Sequence, residues 1–571
     1  MDKKVVGVLG GGQLGRMFVE AANRLNIKVN ILDAANAPAK QISNHDGHIE
    51  GSFKDRKSIQ ELAKTCDVVT VEIEHVDTHV LEEISSEVAV EPSWKTIRYI
   101  QDKYAQKEHL HEHGVATATS IPLESAMPEE LQKVADKLGL PFMLKSRTEA
   151  YDGKGNFPVN SSSDFSAAIE TLGKRPLYAE KWAKFKAELA VMVVKTKDAV
   201  LAYPTVETVH EDSICKLVYA PARNVSPKVL QQAQDLAKKA VACFWGKGVF
   251  GVEMFLLEDD TLLINEIAPR PHNSGHYTIE ACYVSQYDAH LRAILDLPLD
   301  QDSLEIREPS IMLNILGAAS PDSHMQVAER SLAAVPKVSI HLYGKGEARR
   351  GRKMGHMTIT ARTMSQAESL MAPLLSITDE VRGKTSAPIS SSSSSSKRSG
   401  SLVAVIMGSD SDLPVLGPGL KLLKSFGVPT EAHITSAHRT PNWMAEFVHS
   451  AADSGIEVII AAAGGAAHLP GMAASHTHIP VIGVPVKPSI GDGTDSVLSI
   501  LNMPRGVPVA TVGVNNSTNA ALLAVRILGT RYAGKMKEWQ AQATAEVMEK
   551  EKKLSEMGWE EFLAMKEKEK K

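Results

Sequence analysis

The chain has no Cys-x-x-Cys pair, no apolar run near bilayer length and no strong charge of either sign. Its four cysteines, Cys66, Cys215, Cys243 and Cys282, lie far apart in 571 residues. That spacing excludes a disulfide framework and a cysteine zinc site, and leaves reduced thiols as the expectation. No apolar stretch approaches the roughly 20 residues that cross a bilayer, and the first residues run directly into a strand, so neither membrane insertion nor export is signalled. A formal charge of −5, from 63 basic and 68 acidic residues, provides no basic face for nucleic acid. The expectation is an ordinary cytoplasmic protein.

A chain this long exceeds one hydrophobic core and calls for three or four domain-sized units. The main division falls at 383–401, where an unbroken serine run, Ser390 to Ser396, is flanked by Gly, Lys, Arg and Pro. Serine has nothing apolar to bury and competes for its own backbone hydrogen bonds, so a flexible linker with an r.m.s. span of roughly 20–25 Å is expected.

Before the linker, an apolar strand from Lys3 to Leu9 runs into Gly10-Gly-Gly-Gln-Leu-Gly15 and an amphipathic helix. The glycines fit Gly-x-Gly-x-x-Gly, and Asp33 closes the next strand, where a dinucleotide-binding fold has its ribose acid. A nicotinamide-dependent oxidoreductase is therefore one reading. A third strand ends in Glu72-Ile-Glu74-His75, whose polar tip is expected to face the same crevice. Farther on, Lys145 closes an apolar strand ahead of Tyr151-Asp-Gly-Lys-Gly-Asn-Phe157, a glycine loop suited to folding over phosphates. Glu180 ends the strand in Leu177 to Ala183.

Gly248 to Glu266 holds two apolar runs around the acidic turn Glu258-Asp-Asp260, a hairpin signature. Centring the turn on Asp259 and Asp260 sets Glu253 directly opposite Glu266. Opposed carboxylates repel, and a hard divalent cation bridging them to a phosphate is the simplest relief. The next segment, Ala268-Pro-Arg270-Pro-His272-Asn-Ser-Gly-His276, reads as an anion-binding loop.

Together these motifs resemble ATP-grasp enzymes, and specifically N5-carboxyaminoimidazole ribonucleotide synthetase, over residues 1 to about 380. The resemblance displaces the nicotinamide reading. It implies a Rossmann-like pre-ATP-grasp domain (1–100), an ATP-grasp domain (101–300) and a small subdomain (301–382). It implies that Lys103 and Lys145 hold ATP phosphates, with Tyr151, Asp152, Gly153, Lys154, Gly155, Asn156 and Phe157 closing over them. Glu180, Lys181, Trp182, Ala183 and Glu188 would hold adenine and ribose, with His210 and Asn265 also at the nucleotide. Glu253 and Glu266 would hold Mg2+, and Arg270 is carried over as catalytic. His272 and the basic pair Arg352 and Lys353 would contact the ribonucleotide. Lys154 departs from the family's usual arginine, keeping the charge without the bidentate fork.

Beyond the linker the pattern is strand, polar loop, helix, repeated. Leu402 to Met407 precedes Gly408-Ser-Asp-Ser-Asp412, with Asp412 placed to cap the helix from Leu413. The second strand precedes Ser436-Ala-His438-Arg439, and the third precedes Gly464-Gly-Ala-Ala-His468. Such repeats predict a parallel α/β sheet, flavodoxin-like, with the loops gathered at the strands' C-terminal ends. Helix N-termini near Ser409 and Gly464 offer donors to a phosphate, and His438 with His468 can exchange protons near neutral pH.

These loops, with Met503-Pro-Arg-Gly506 and Asn519-Ala-Ala, resemble the aminoimidazole ribonucleotide carboxylase/mutase family over nearly all of residues 402 to 530, which implies a carboxylase/mutase domain at 402–535. The resemblance implies that Ser409, Asp412, Ser436, Arg439, Ala463 and Gly464 bind the ribonucleotide, and that His438, with His468 beside it, shuttles the proton. Ala462 stands where the family has glycine, and its methyl is expected to crowd the substrate. A helical extension (536–571), amphipathic from Glu546, follows. Both halves on one chain resemble the fused carboxylases of fungi and plants. That implies ATP and Mg2+ as cofactors, bicarbonate or CO2 as co-substrate, aminoimidazole ribonucleotide as substrate, no nucleic-acid or membrane partner, and a homo-oligomer with an octameric core.

Overall fold

The computed structural model describes residues 3–43, 45–148, 155–384, 401–452 and 454–569. The chain divides into two compact units, Met1–Ser390 and Ser391–Lys571. Most of the serine-rich stretch, and Tyr151, Asp152, Gly153 and Lys154, lie outside the described residues. The described ends of the expected linker make contacts with the folded units. Lys384 bonds to Glu211 and, at 3.1 Å, to Asp212, while Ser401 is buried at the start of the second unit.

The first unit opens with five parallel strands, β1 (Val5–Leu9), β2 (Lys28–Asp33), β3 (Ile49–Glu50), β4 (Val68–Val71) and β5 (Ala89–Val90). Their order, β3-β2-β1-β4-β5, is that of a Rossmann sheet. The helix Gln13–Arg24 follows β1 at once and buries Leu14, Met17, Phe18 and Ala21, the apolar face expected from the sequence.

A small antiparallel sheet follows, built from β6 (Ser120–Pro122), β7 (Phe142–Ser146), β8 (Asn156–Val159) and β9 (Leu177–Lys181), in the order β6-β9-β7-β8. A nine-stranded antiparallel sheet contains β10 (Phe185–Lys195), β11 (Val200–Ala202), β12 (Val206–Glu211), β13 (Ile214–Ala220), β14 (Gly248–Leu257), β15 (Leu262–Ala268), β16 (Ser310–Leu316), β17 (Ser339–Leu342) and β18 (Lys353–Thr360). Its main path runs β15-β14-β10-β12-β13-β16-β18-β17. The strands of 310–360 thus extend the sheet that carries the acidic hairpin.

The second unit has five parallel strands, β19 (Val403–Met407), β20 (Thr430–Ile434), β21 (Val458–Gly464), β22 (Val481–Val486) and β23 (Ala510–Thr511), in the order β20-β19-β21-β22-β23. This is the flavodoxin-like order, with its switch point between β19 and β21. Val403, Val405 and Met407 pack with helices Leu413–Ser425 and Ser517–Ile527, while Ala404 and Ile406 pack with Pro441–Ala451 and Leu469–Ser475 on the other face. Burial on both faces explains the continuous apolar runs. The C-terminal helix starts earlier than its sequence pattern predicts, at Ala533, and runs to Met557. Gly558 (φ +77°) then breaks it before a second helix, Trp559–Glu569, because that backbone conformation is one that side chains resist. Among the described residues no helix is long and apolar enough to cross a membrane.

Candidate active sites

The glycine turn after β1 answers the dinucleotide question. Gly11 N–H donates to Asp33 Oδ2 at 2.7 Å, and Leu14 N–H to Glu72 Oε1 at 2.9 Å, while Gly12 N–H also bonds the Glu72 carboxylate. The amides that a pyrophosphate would use are held by the chain's own acids. Burial pushes Glu72 above the usual carboxylate range. At the polar tip of β4 the second acid, Glu74, reaches Arg270. Arg270 Nε donates to Glu74 Oε2 at 2.7 Å and Nη2 to Oε1 at 3.3 Å. Burial disfavours the Glu74 charge, but Arg270 and Lys103 prevail and bring it down to about 2.

The acidic hairpin pairs Glu253 with Glu266, by a route the sequence did not show. Near the turn the ladder pairs Leu256 with Leu262 and Met254 with Ile264, one residue short of the expected register. A β-bulge at Asn265 restores it, so Glu253 meets Glu266. The repulsion is relieved by neighbours. Lys103 Nζ donates to Glu266 Oε2 at 2.8 Å, Ser274 Oγ donates to Glu253 Oε1 at 3.2 Å, and His272 Nδ1 lies 3.6 Å from the same oxygen. Burial opposes the Glu266 charge, and Lys103 outweighs it, holding the carboxyl below the usual range.

Asn265 also joins this cluster, through Lys145 Nζ at 3.4 Å. Glu180 is almost fully buried and pairs with both Lys145 and Lys107. One carboxylate between two ammonium groups stays ionised despite burial, and Lys107, buried and competing with Lys145, is lowered below the ordinary lysine range. Lys107 was not singled out in the sequence, although it lies one helical turn after Lys103 in the helix Lys103–Glu112. Its neighbour Gln106 clamps β15, donating to Ile267 O at 3.0 Å and accepting from Ile267 N–H at 3.1 Å. Asp102 caps the helix and accepts from Arg147.

The other residues named from sequence lie at varied distances from this core. Glu188 is 3.3 Å from His210 Nδ1, and that contact raises the histidine's pKa against the opposing effect of burial. The Lys353 charge acts on both His210 and His272. Arg352 is exposed and donates to the backbone carbonyls of Lys345 and Glu347 at 3.3 Å. Lys181 is exposed, Trp182 is 37% exposed and Ala183 is half-buried. Gly155 takes a positive φ of 100°, and Asn156 pairs with Lys145 across β7 and β8.

In the second unit, three loops meet at the switch point. His438 Nε2 lies 2.9 Å from His468 Nδ1, with the rings edge to face. Arg439 Nη2 donates to Gly408 O at 2.7 Å and Nε to Ser436 Oγ at 3.3 Å, tying the loop after β20 to that after β19. The Asp412 expectation needs correction: its side chain does not cap the following helix but accepts from Ser409 N–H at 3.2 Å. A 3-10 turn, Asp410–Asp412, intervenes, so Asp412 is already helical and its carboxylate folds back in a capping box. Burial raises its pKa. Ala462 also departs from expectation, because its methyl is fully buried in the core with Val405 and Val484. Ala463 is buried, and Gly464 at the strand end is exposed.

Four families match the chain in sequence order: the ribonucleotide synthetase pre-ATP-grasp domain (3–101), the ATP-grasp domain (108–287), the phosphoribosylaminoimidazole carboxylase C-terminal domain (310–370) and AIR carboxylase (402–548). Carboxyaminoimidazole ribonucleotide synthase from Aspergillus clavatus, solved with ATP, is 66% identical, with a TM-score of 0.65, over 67% of this chain and 100% of that one. The Aspergillus clavatus enzyme solved with ADP and 5-aminoimidazole ribonucleotide is 65% identical, with a TM-score of 0.65, over 66% and 99%. Phosphoribosylaminoimidazole carboxylase of Saccharomyces cerevisiae is 53% identical over 99% of this chain and 100% of its own. An identity of that level, spanning both units and both chains almost end to end, means that this chain belongs to the phosphoribosylaminoimidazole carboxylase family.

Proposed function

We propose that the two units perform successive steps of one carboxylation in purine synthesis. In the first, ATP phosphorylates bicarbonate, giving ADP and carboxyphosphate. The exocyclic amine of aminoimidazole ribonucleotide attacks the carboxyl carbon, inorganic phosphate leaves, and a carbamate forms. In the second unit, the carboxyl leaves nitrogen as CO2 and bonds to the ring carbon, which loses its proton to a base.

The observation that carries the reading is the cluster of Lys103, Lys145, Glu253, Asn265 and Glu266 around one bulged hairpin, with Arg270 held beside it by Glu74. Lys103 and Lys145 supply positive charge for phosphate oxygens, Glu180 orients Lys145, and Glu188 lies on β10 beside the hairpin, with His210 reaching it from the next strand, β12. The donor set fits Mg2+, because two opposed carboxylates and an amide oxygen are hard ligands. Held by Glu253 and Glu266, Mg2+ would neutralise charge on the transferring phosphoryl group. In the second unit His438 accepts the ring proton, with His468 as its hydrogen-bonded neighbour, while Ser409, Asp412 and Arg439 bind the ribonucleotide.

Large exposed apolar side chains on the second unit, including Ile434, Trp443, Ile490, Leu498 and Leu501, support a homo-oligomer, and the octameric count follows from the family resemblance alone. None of the four cysteines forms a disulfide, which supports a reducing, cytoplasmic setting. The test is ATP hydrolysis that requires both bicarbonate and aminoimidazole ribonucleotide, coupled to carbon-carboxylated product.

A further inference from the structure

Three ligand-bearing side chains outside both reaction sites meet behind the Ala268–His276 segment. Glu280 lies on the short helix Thr278–Ala281, directly after that segment, and His341 of β17 is the cross-strand partner of His356 of β18. The two imidazoles stack with centroids 4.6 Å apart. His341 Nε2 lies 2.6 Å from Glu280 Oε1. One ligand atom from each of the three residues lies within 4.8 Å of the other two.

Two atoms in this cluster are left over. Glu280 Oε2 and His356 Nε2 are buried with no hydrogen-bond partner among the described residues, and His356 has no accessible surface. Buried polar atoms almost always have partners. The other nitrogen of His356 is accounted for, because Nδ1 lies 3.0 Å from the Tyr343 hydroxyl. With Nδ1–H donated to that oxygen, Nε2 carries the lone pair. A metal-ligating imidazole is commonly oriented in this way, by a bond from its other nitrogen.

We propose that Glu280, His341 and His356 form a binding site for a divalent transition cation, with Zn2+ the best chemical fit. Two imidazoles and one carboxylate suit zinc, whereas Mg2+ and Ca2+ take oxygen ligands. Zinc bonds of about 2.0–2.2 Å set tetrahedral ligands about 3.4 Å apart, so the His341–Glu280 pair opens by roughly 0.8 Å while the wider separations, all within 4.8 Å, close through side-chain rotation. On binding, the proton shared by His341 and Glu280 leaves to solvent, and the cation takes its place. Glu280 and His341 keep 16% and 22% of their side chains exposed, which provides a way in. The cation would tie the helix after Arg270 and His272 to the strand that begins at Lys353, bracing two polar segments from behind.

The test is zinc content of the full chain after dialysis against excess Zn2+ and removal of loosely held metal. The wild type should keep one equivalent per chain more than Glu280→Gln and His341→Gln. Zinc bound at other histidines is common to all three proteins, so only the difference counts. Tyr343→Phe, which preserves packing, should weaken zinc affinity about 10-fold by freeing the His356 ring. Equal zinc in the wild type and both variants, none in the wild type, or unchanged affinity in Tyr343→Phe would overturn the proposal.

Discussion

His438 Nε2 stands 2.9 Å from His468 Nδ1, so the loops that follow β20 and β21 are joined by two imidazoles at the sheet's switch point. Arg439, the next residue, is anchored separately on Gly408 O and Ser436. On the proposed reading, proton transfer and substrate anchoring rest on different side chains.

That separation predicts the behaviour of His438→Asn. Asparagine keeps a hydrogen-bonding group but cannot act as the base, so carbon-carboxylated product should fall by roughly 100-fold or more. ATP use and carbamate formation should continue, and the ribonucleotide should still bind. Chromatographic assay of both products checks this. Product at the wild-type rate would move the proton shuttle to His468.

In the first unit, Glu266→Gln and Glu253→Gln should abolish the ATP-dependent step and spare the second. Each change removes one carboxylate charge from the proposed Mg2+ site, and Glu266→Gln also strips Lys103 of its charged partner. Product made directly from the carbamate should be unaffected. Full ATP-dependent turnover in purified Glu266→Gln would defeat the metal assignment.

Glu180 should matter for stability as well as binding. It lies between Lys107 and Lys145, and Glu180→Gln leaves two buried ammonium groups without a counter-charge, at a cost of about 3–5 kcal/mol. Adding Lys107→Met should recover part of that loss. Denaturant titration following the first unit would read both, and a loss below about 1 kcal/mol would show that the cluster is already solvated.

The Glu74–Arg270 pair sets an acid limit. Glu74 titrates at about 2 when folded, against about 4.3 for an unperturbed glutamate. A depressed carboxylate stabilises the fold above the unfolded value, and that contribution disappears as pH falls through the folded one. It amounts to something on the order of 3 kcal/mol, present in full at pH 6 and lost between about pH 4.3 and 2. Melting curves should show Glu74→Gln flattening that acid limb, and an unchanged limb would remove Glu74 from the account.

Local pattern carried much of this architecture. The apolar runs of β19 and β21 and the polar loops after them announce a parallel sheet, because side chains buried on both faces leave no alternation. What was hidden depends on long-range packing. Arg270 and Glu74 are 196 residues apart, and nothing at either position names the other. Lys107 looks like any helix lysine until β9 brings Glu180 against it. The hairpin shows how local reasoning can reach the right pair through the wrong register: Glu253 faces Glu266 only because a bulge at Asn265 corrects a turn placed one residue short. Ala462 went the other way, its methyl taken up by the core.

The most direct test of the central claim is ATP hydrolysis by the intact chain, measured with aminoimidazole ribonucleotide and bicarbonate supplied singly and together. The two together should give stoichiometric ADP, phosphate and carboxylated ribonucleotide, and either alone should give little turnover. ATP hydrolysis indifferent to the ribonucleotide, or carboxylated product formed at the same rate without ATP at low bicarbonate, would contradict the account.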